Sequence, residues 1–215
     1  MSKRFDRLIR ELASAELSER AVNQYSSSQG DVAGNAVRRR NLRLYLQQLE
    51  EIGSRVMLVG EAPSHRGGRL TGIAFVSETL MLAGVDGVLG EERGYRKATT
   101  GETLSTEASA TMVWGTIRSI HPLPLLWNAF PFHPFHEGNP TSNRVPTASE
   151  LLIGERFIRM LIELFAFEEV LAIGNQASLS LSRIGISHEK LRHPSMGGKQ
   201  KFVAGMARLS QASDS

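Results

Sequence analysis

The 215-residue chain contains no cysteine. Disulfides, thiolate zinc sites and cysteine-ligated iron–sulfur clusters are therefore excluded. No apolar run comes near the ~20 residues that a membrane-spanning helix requires. The opening stretch MSKRFDRLIRELASAELSER is charged throughout, without the apolar centre of a secretory signal. Charge of one sign is also missing: 25 Lys and Arg against 22 Asp and Glu leave a formal net charge of +3. Such a balance permits a nucleic-acid partner without demanding one. What the chain has is apolar material, 41% of its residues, enough for a packed core and too much for global disorder. A cytoplasmic monomer without membrane attachment is the expectation.

The period of the pattern changes along the chain. Residues 3–22 place Phe5, Leu8, Ile9 and Leu12 at helical spacing. A polar loop follows at 26–35, then a second amphipathic helix over 36–53, whose Arg38, Arg39 and Arg40 read as a solvated face. Beyond it, RVMLVG (55–60), LPLLWNAF (123–130) and EEVLAIG (168–174) are short apolar runs typical of buried parallel strands. A weaker apolar segment lies near 184–187, ahead of the stretch LRHPSMGG. Helical patterns cover 71–84, 147–166, 175–183 and 198–209. Strands alternating with helices predict an α/β fold. The expected form is a three-layer α/β/α sandwich with a central, mostly parallel four-stranded sheet, plus N-terminal helices. The expected organisation is an N-terminal helical extension (1–52) packed on the core, an α/β domain (53–210) and a disordered tail (211–215). The Gly- and Thr-rich segment 85–112 reads as a long functional loop before a helix ending near Ser119.

In parallel sheets, ligands bind beyond the carboxyl ends of the strands. Polar stretches sit at those places: GEAPSHRGGR (60–69), NAFPFHPFHEGNPTSNR (128–144), GNQAS (174–178) and LRHPSMGG (191–198). Each alone is ambiguous. The first turns at Gly60 and Pro63 and offers one carboxylate, Glu61, but lacks the Gly-Lys-Ser/Thr ending of a phosphate loop. An ordinary βα loop with a solvated Glu61 fits it equally well. Asn128, at a strand end, either pins a neighbouring loop or reads a planar ligand. Phe75 is a core residue or a stacking platform. His133 and His136 have no third partner placed for a metal. In LRHPSMGG an imidazole, a hydroxyl and turn amides suit a phosphate or a reacting oxygen, or make only a loop.

Taken together, GEAP, TGIAF, NAFPFHP and RHPSMGG, in this order and spacing, resemble the uracil-DNA glycosylase superfamily. The resemblance covers roughly residues 53–205. It is nearest to the bacterial and archaeal branches whose first motif begins Gly-Glu-Ala-Pro. Those branches usually carry four cysteines holding an iron–sulfur cluster, so this chain resembles a cluster-free relative. The resemblance implies hydrolysis of the N-glycosidic bond of uracil in DNA, for base excision repair, with the base flipped from the duplex. It implies that Glu61 and His193 are catalytic, Glu61 placing the water and His193 stabilising the departing uracil anion. It implies that Ala62, Phe75 and Asn128 bind the base, Phe75 by stacking and Asn128 along the Watson–Crick edge. Pro63, Ser64, His65, Arg192, Pro194, Ser195, Met196, Gly197 and Lys199 would meet the DNA, with Met196 as a wedge. No metal and no cofactor is implied.

Three departures from the family pattern stand out. The best-known family has a catalytic Asp where this chain has Ala62, and a Tyr where it has Ser64. The 85–118 segment has no counterpart. Alternatives are a glycosylase for hypoxanthine or xanthine, and a catalytically weak nucleic-acid-binding protein of the same fold. A nucleotide-processing enzyme with a phosphate loop at 60–69 is a further one, but no metal-binding carboxylate pair accompanies that loop.

Overall fold

A computed structural model of the chain describes residues 3–85 and 87–212. From the N-terminus the elements are α1 (Asp6–Ala13), β1 (Ala21–Val22), α2 (Val32–Glu51), β2 (Val56–Gly60), α3 (Gly68–Thr71), α4 (Glu78–Ala83), α5 (Ala108–Ile117), β3 (Leu125–Asn128), β4 (His133–Pro134), α6 (Ala148–Leu164), β5 (Glu169–Ile173), α7 (Asn175–Arg183), β6 (Glu189–Leu191) and α8 (Lys199–Ala212). Residues 213–215 of the expected tail lie outside the described residues.

Strands β2, β3 and β5 are buried almost end to end. A strand covered on both faces cannot alternate, which is why each appears in the sequence as an unbroken apolar run. With β6 they form one sheet in the order β3-β2-β5-β6, every pairing parallel. The chain leaves β2 toward β3 on one side and later returns to β5 on the other, so the strand order reverses beside β2. That is the place where an open parallel sheet forms a crevice. Helix α7 packs on β2, β5 and β6, and α8 packs on β6 and α5. The predicted α/β class, with four parallel strands flanked by helices, is the fold observed. A single core joins Phe5, just ahead of α1, and Leu8 and Leu12 of α1 to Leu42, Leu46 and Leu49 of α2 and to the strands. The free edge of β3 is bound to α2 by Tyr45, whose hydroxyl accepts the Leu126 N–H at 2.9 Å.

Four local expectations are corrected. The helix expected over 3–22 ends at Ala13. There Asn23 folds back and donates its amide to the carbonyls of Leu12 and Ala15, at 2.9 and 3.1 Å. Val22 and Ala21 then pair antiparallel with His133 and Pro134. The helix expected over 71–84 is two short helices, because α3 stops at a left-handed Gly72 and α4 starts afresh from the capping Ser77. The fourth strand lies at 189–191, beyond the apolar segment near 184–187. Arg38 is buried, not part of a solvated face: it donates to Asn35 Oδ1 at 2.7 Å and to the Leu70 carbonyl at 3.0 Å. The long segment before α5 is also anchored. Buried Glu78 accepts the Ser105 N–H, and Asn41 donates to the Arg96 carbonyl at 2.8 Å. Among the described residues no helix is long and apolar enough to cross a membrane.

Candidate active site

The parallel register brings Gly60 of β2 opposite Asn128 of β3, and Ile173 of β5 opposite Leu191 of β6. The loops that leave these ends enclose a cleft of about 1150 Å³. Of the residues expected at the site, Glu61, Ala62, Pro63, Ser64, His65, Phe75, Asn128, Arg192, His193 and Ser195 line it. Pro194, Met196, Gly197 and Lys199 do not. Pro194 is buried inside its turn, Met196 stands 91% exposed at the turn's tip, and Lys199 opens α8 beside a separate groove between α5 and α8.

Phe75 and Asn128 meet at Gly60. A Cβ at position 60 would lie 2.3 Å from the Phe75 ring and 2.9 Å from Asn128 Oδ1. Only glycine lets the ring settle on the strand end at that height. Phe75 itself has φ 55, a left-handed conformation rare for an aromatic residue. Asn128 is 3% exposed, and among the described residues its side-chain amide has no protein partner. An amide so placed has both a donor and an acceptor free to pair with a planar group entering the cleft.

Glu61 is half-buried, and burial pushes its carboxyl above the ordinary value. Among the described residues it forms no ion pair. His193 lies across from Phe75, with ring centroids 6.4 Å apart. Its Nδ1 accepts the Ser195 N–H at 3.2 Å and sits 2.7 Å from the Ser195 hydroxyl. Burial, then the Arg192 guanidinium, hold the imidazole below its ordinary value. A neutral ring whose Nδ1 accepts must carry its proton on Nε2. Together these groups offer a flat ring, an edge-reading amide, a hydrogen-bond donor and a poised carboxylate.

Comparison with known proteins fixes the family. The model of the Uracil DNA glycosylase superfamily matches residues 47–209. The chain belongs to this superfamily. Membership carries hydrolysis of N-glycosyl bonds as the class of chemistry. No curated protein matches the chain. Among solved structures, the crystal structure of wild-type SMUG2 from Pedobacter heparinus is similar over 100% of both chains, with a TM-score of 0.66 at 15% identity. At that identity the likeness speaks for the fold alone.

The cleft is also lined by residues outside the individual candidates read from the sequence. One wall comes from the 85–118 segment: Thr106, Glu107, Ala108, Ser109 and Met112. Glu107 Oε1 accepts from the Ser109 hydroxyl at 2.7 Å, while Oε2 is buried without a partner beside Gly67. Asn143 accepts the His65 N–H at 2.9 Å and so ties the first motif to the loop after β4. His133, fully buried, spans the Pro63 carbonyl at 2.9 Å and the Pro140 carbonyl at 3.2 Å. Its role in the structure is to brace the turn that carries Glu61. Among the described residues no three His, Asp or Glu side chains group as metal ligands. The Gly/Thr-rich stretch reads in the sequence as a long functional loop, too extended for a simple connection, and the structure sets its end in this wall.

Proposed function

We propose that this glycosylase excises uracil from DNA, flipping the base into the cleft between Phe75 and His193. The observation that carries this reading is the convergence of Phe75, Asn128, Glu61 and His193 on one cleft at the switch of strand order. Phe75 stacks on the flipped base. Asn128 donates to uracil O4 and accepts from N3–H, a pattern that cytosine reverses. As the N-glycosidic bond breaks, the electron pair stays with uracil, and Nε2–H of His193 donates to the charge growing at O2. The sugar becomes cationic, and water held by Glu61 adds to C1′ and gives up its proton. Arg66 and Arg192 are exposed on the cleft loops and Lys199 at the start of α8, where they meet phosphates, and Met196 fills the gap left in the stack. The enzyme acts as a cytoplasmic monomer, with residues 53–210 as the catalytic domain and 1–52 as its helical extension.

A second reading has its own support. Ala62 and Ser64 are small, and the cleft is roomy enough for a purine. Hypoxanthine or xanthine in DNA is therefore the competing substrate. The test is single-turnover incubation with labelled oligonucleotides carrying uracil, hypoxanthine or xanthine, followed by alkali to cleave abasic sites. Uracil is expected to be released fastest. Faster release of either purine transfers the assignment to that base, and no release of any base refutes the enzyme.

A further inference from the structure

The Phe75 ring is held in place from an unexpected direction. Its backbone is left-handed, with φ 55, in a segment where the neighbouring α3 and α4 are both too short to impose that conformation. An aromatic residue in this region is strained, and such strain persists only where surrounding contacts over-determine it. Two sets of contacts do so. Thr71, fully buried, accepts the Ile73 N–H at 3.2 Å and donates to the Val76 carbonyl at 2.8 Å, which closes the turn on both sides of Phe75. The second contact is to Phe75 itself: the indole Nε1–H of Trp114 donates to its carbonyl oxygen at 2.9 Å. Trp114 is 2% exposed and lies on α5.

We propose that Trp114 is a positioning residue for base excision: its indole N–H locks the backbone of Phe75 so that the ring rests on Gly60 beside the Asn128 amide. This rests on the reading of Phe75 as the platform for the flipped base. The geometry explains why the lock must be tight. Gly60 has no side chain, and the edge of the Phe75 ring occupies the place a Cβ would take, so the ring forms part of the cleft lining beside Asn128. Returning φ of Phe75 to a negative value would move its Cβ and tilt the ring out of that place. The bond also gives α5 a function. The same helix lines the cleft through Ala108, Ser109 and Met112, all within two turns of Trp114. The wall of the cleft and the height of its platform are thus set by one rigid element.

The test separates positioning from mere stability. Trp114→Phe keeps an apolar ring and deletes the donor. Should that variant fold poorly, benzothienylalanine at position 114 deletes only the N–H at nearly constant shape. The first readout is a crystal structure of the variant beside the parent. The Phe75 ring is expected to leave Gly60 and its φ to turn negative. A ring unmoved in the variant overturns the proposal, whatever the activity. The second readout is the single-turnover rate on uracil DNA in a double-mutant cycle with Phe75→Ala. Loss of the bond should slow the parent about tenfold, the usual worth of one hydrogen bond to a pre-organised group. In the Phe75→Ala background it should change the rate by less than about twofold, although the melting temperature falls in both backgrounds. Equal slowing in both backgrounds shows a structural residue only and refutes the proposal. A displaced ring in a protein whose parent releases no base sinks the glycosylase reading and leaves the Trp114 lock upheld.

Discussion

The Nδ1 atom of His193 lies 3.2 Å from the backbone nitrogen of Ser195, two residues along the same turn. A backbone N–H can only donate, so Nδ1 accepts and the ring proton belongs on Nε2. The lowered pKa of His193 keeps the ring in this neutral form. On the proposed mechanism a neutral donor costs no buried charge before reaction and gains strength as the leaving base becomes anionic. Loss of one pre-organised donor of this kind typically costs about 10²–10³ in rate. His193→Ala should therefore slow single-turnover cleavage by about that factor while leaving affinity for abasic product DNA nearly unchanged. Equal loss in rate and product affinity would show that His193 serves the DNA backbone instead.

Asn128 should decide which base is read. Asn128→Asp keeps the size of the side chain but removes its donor. A carboxylate repels uracil O4 and can accept from the amino group of cytosine. Uracil excision should fall by roughly ten- to a hundredfold, the range of a lost bidentate contact. Weak release of cytosine is the expected companion. Unchanged uracil release would remove Asn128 from the base pocket.

Much of this architecture was legible in the sequence, and the misses have physical causes. Strands β2, β3 and β5 announced themselves because burial on both faces demands apolar residues throughout. Strand β6 did not. It is an edge strand whose Glu189 and Lys190 are exposed, and charged edges are how sheets resist unwanted pairing. Glu61, Asn128 and His193 stood out only through the combined motifs of the family resemblance, since each polar stretch at a strand end is ambiguous alone. The left-handed turn at Phe75 was invisible, since the 71–84 stretch has helical spacing and is overruled by local bonds from the Thr71 hydroxyl and a tertiary bond from Trp114. The cleft wall at the start of α5 was legible only as part of a functional loop: Glu107 and Met112 have no local pattern that distinguishes them from an ordinary amphipathic helix start.

Salt should weaken DNA binding steeply. Arg66 and Arg192 are exposed on two cleft loops, and Lys199 and Lys201 are exposed at the start of α8. Each phosphate neutralised on duplex DNA adds about 0.9 to the slope of log K against log salt. Replacing Lys199 by Ala should lower the slope by about one without changing which base is excised. Fluorescence anisotropy with an undamaged duplex between low and moderate ionic strength measures this. A flat dependence would argue against DNA as the partner.

Glu61 should show its role through pH. Burial raises its carboxyl, and no counter-ion among the described residues reverses that effect. On the proposed mechanism the active species has Glu61 ionised and His193 neutral, and both forms lie on the alkaline side of their pKa values. The rate should therefore rise with pH through the elevated Glu61 value, above the usual carboxylate range, and neither group supplies a falling limb on the alkaline side. Glu61→Gln keeps a group able to hold water but cannot take its proton or support the cationic sugar. If bond breaking runs well ahead of water attack, this variant should lose less rate than His193→Ala, and its acid limb should flatten. Stability follows the opposite sign. A carboxyl raised by folding contributes stability that is full below its unfolded pKa and is lost as pH rises through the folded one. Glu61→Gln should thus melt higher than the parent at neutral pH, and the difference should vanish on acidification. Single-turnover rates and melting curves across the same pH series test both halves. An acid limb that survives unchanged in Glu61→Gln assigns the titration to another group and takes the water from Glu61.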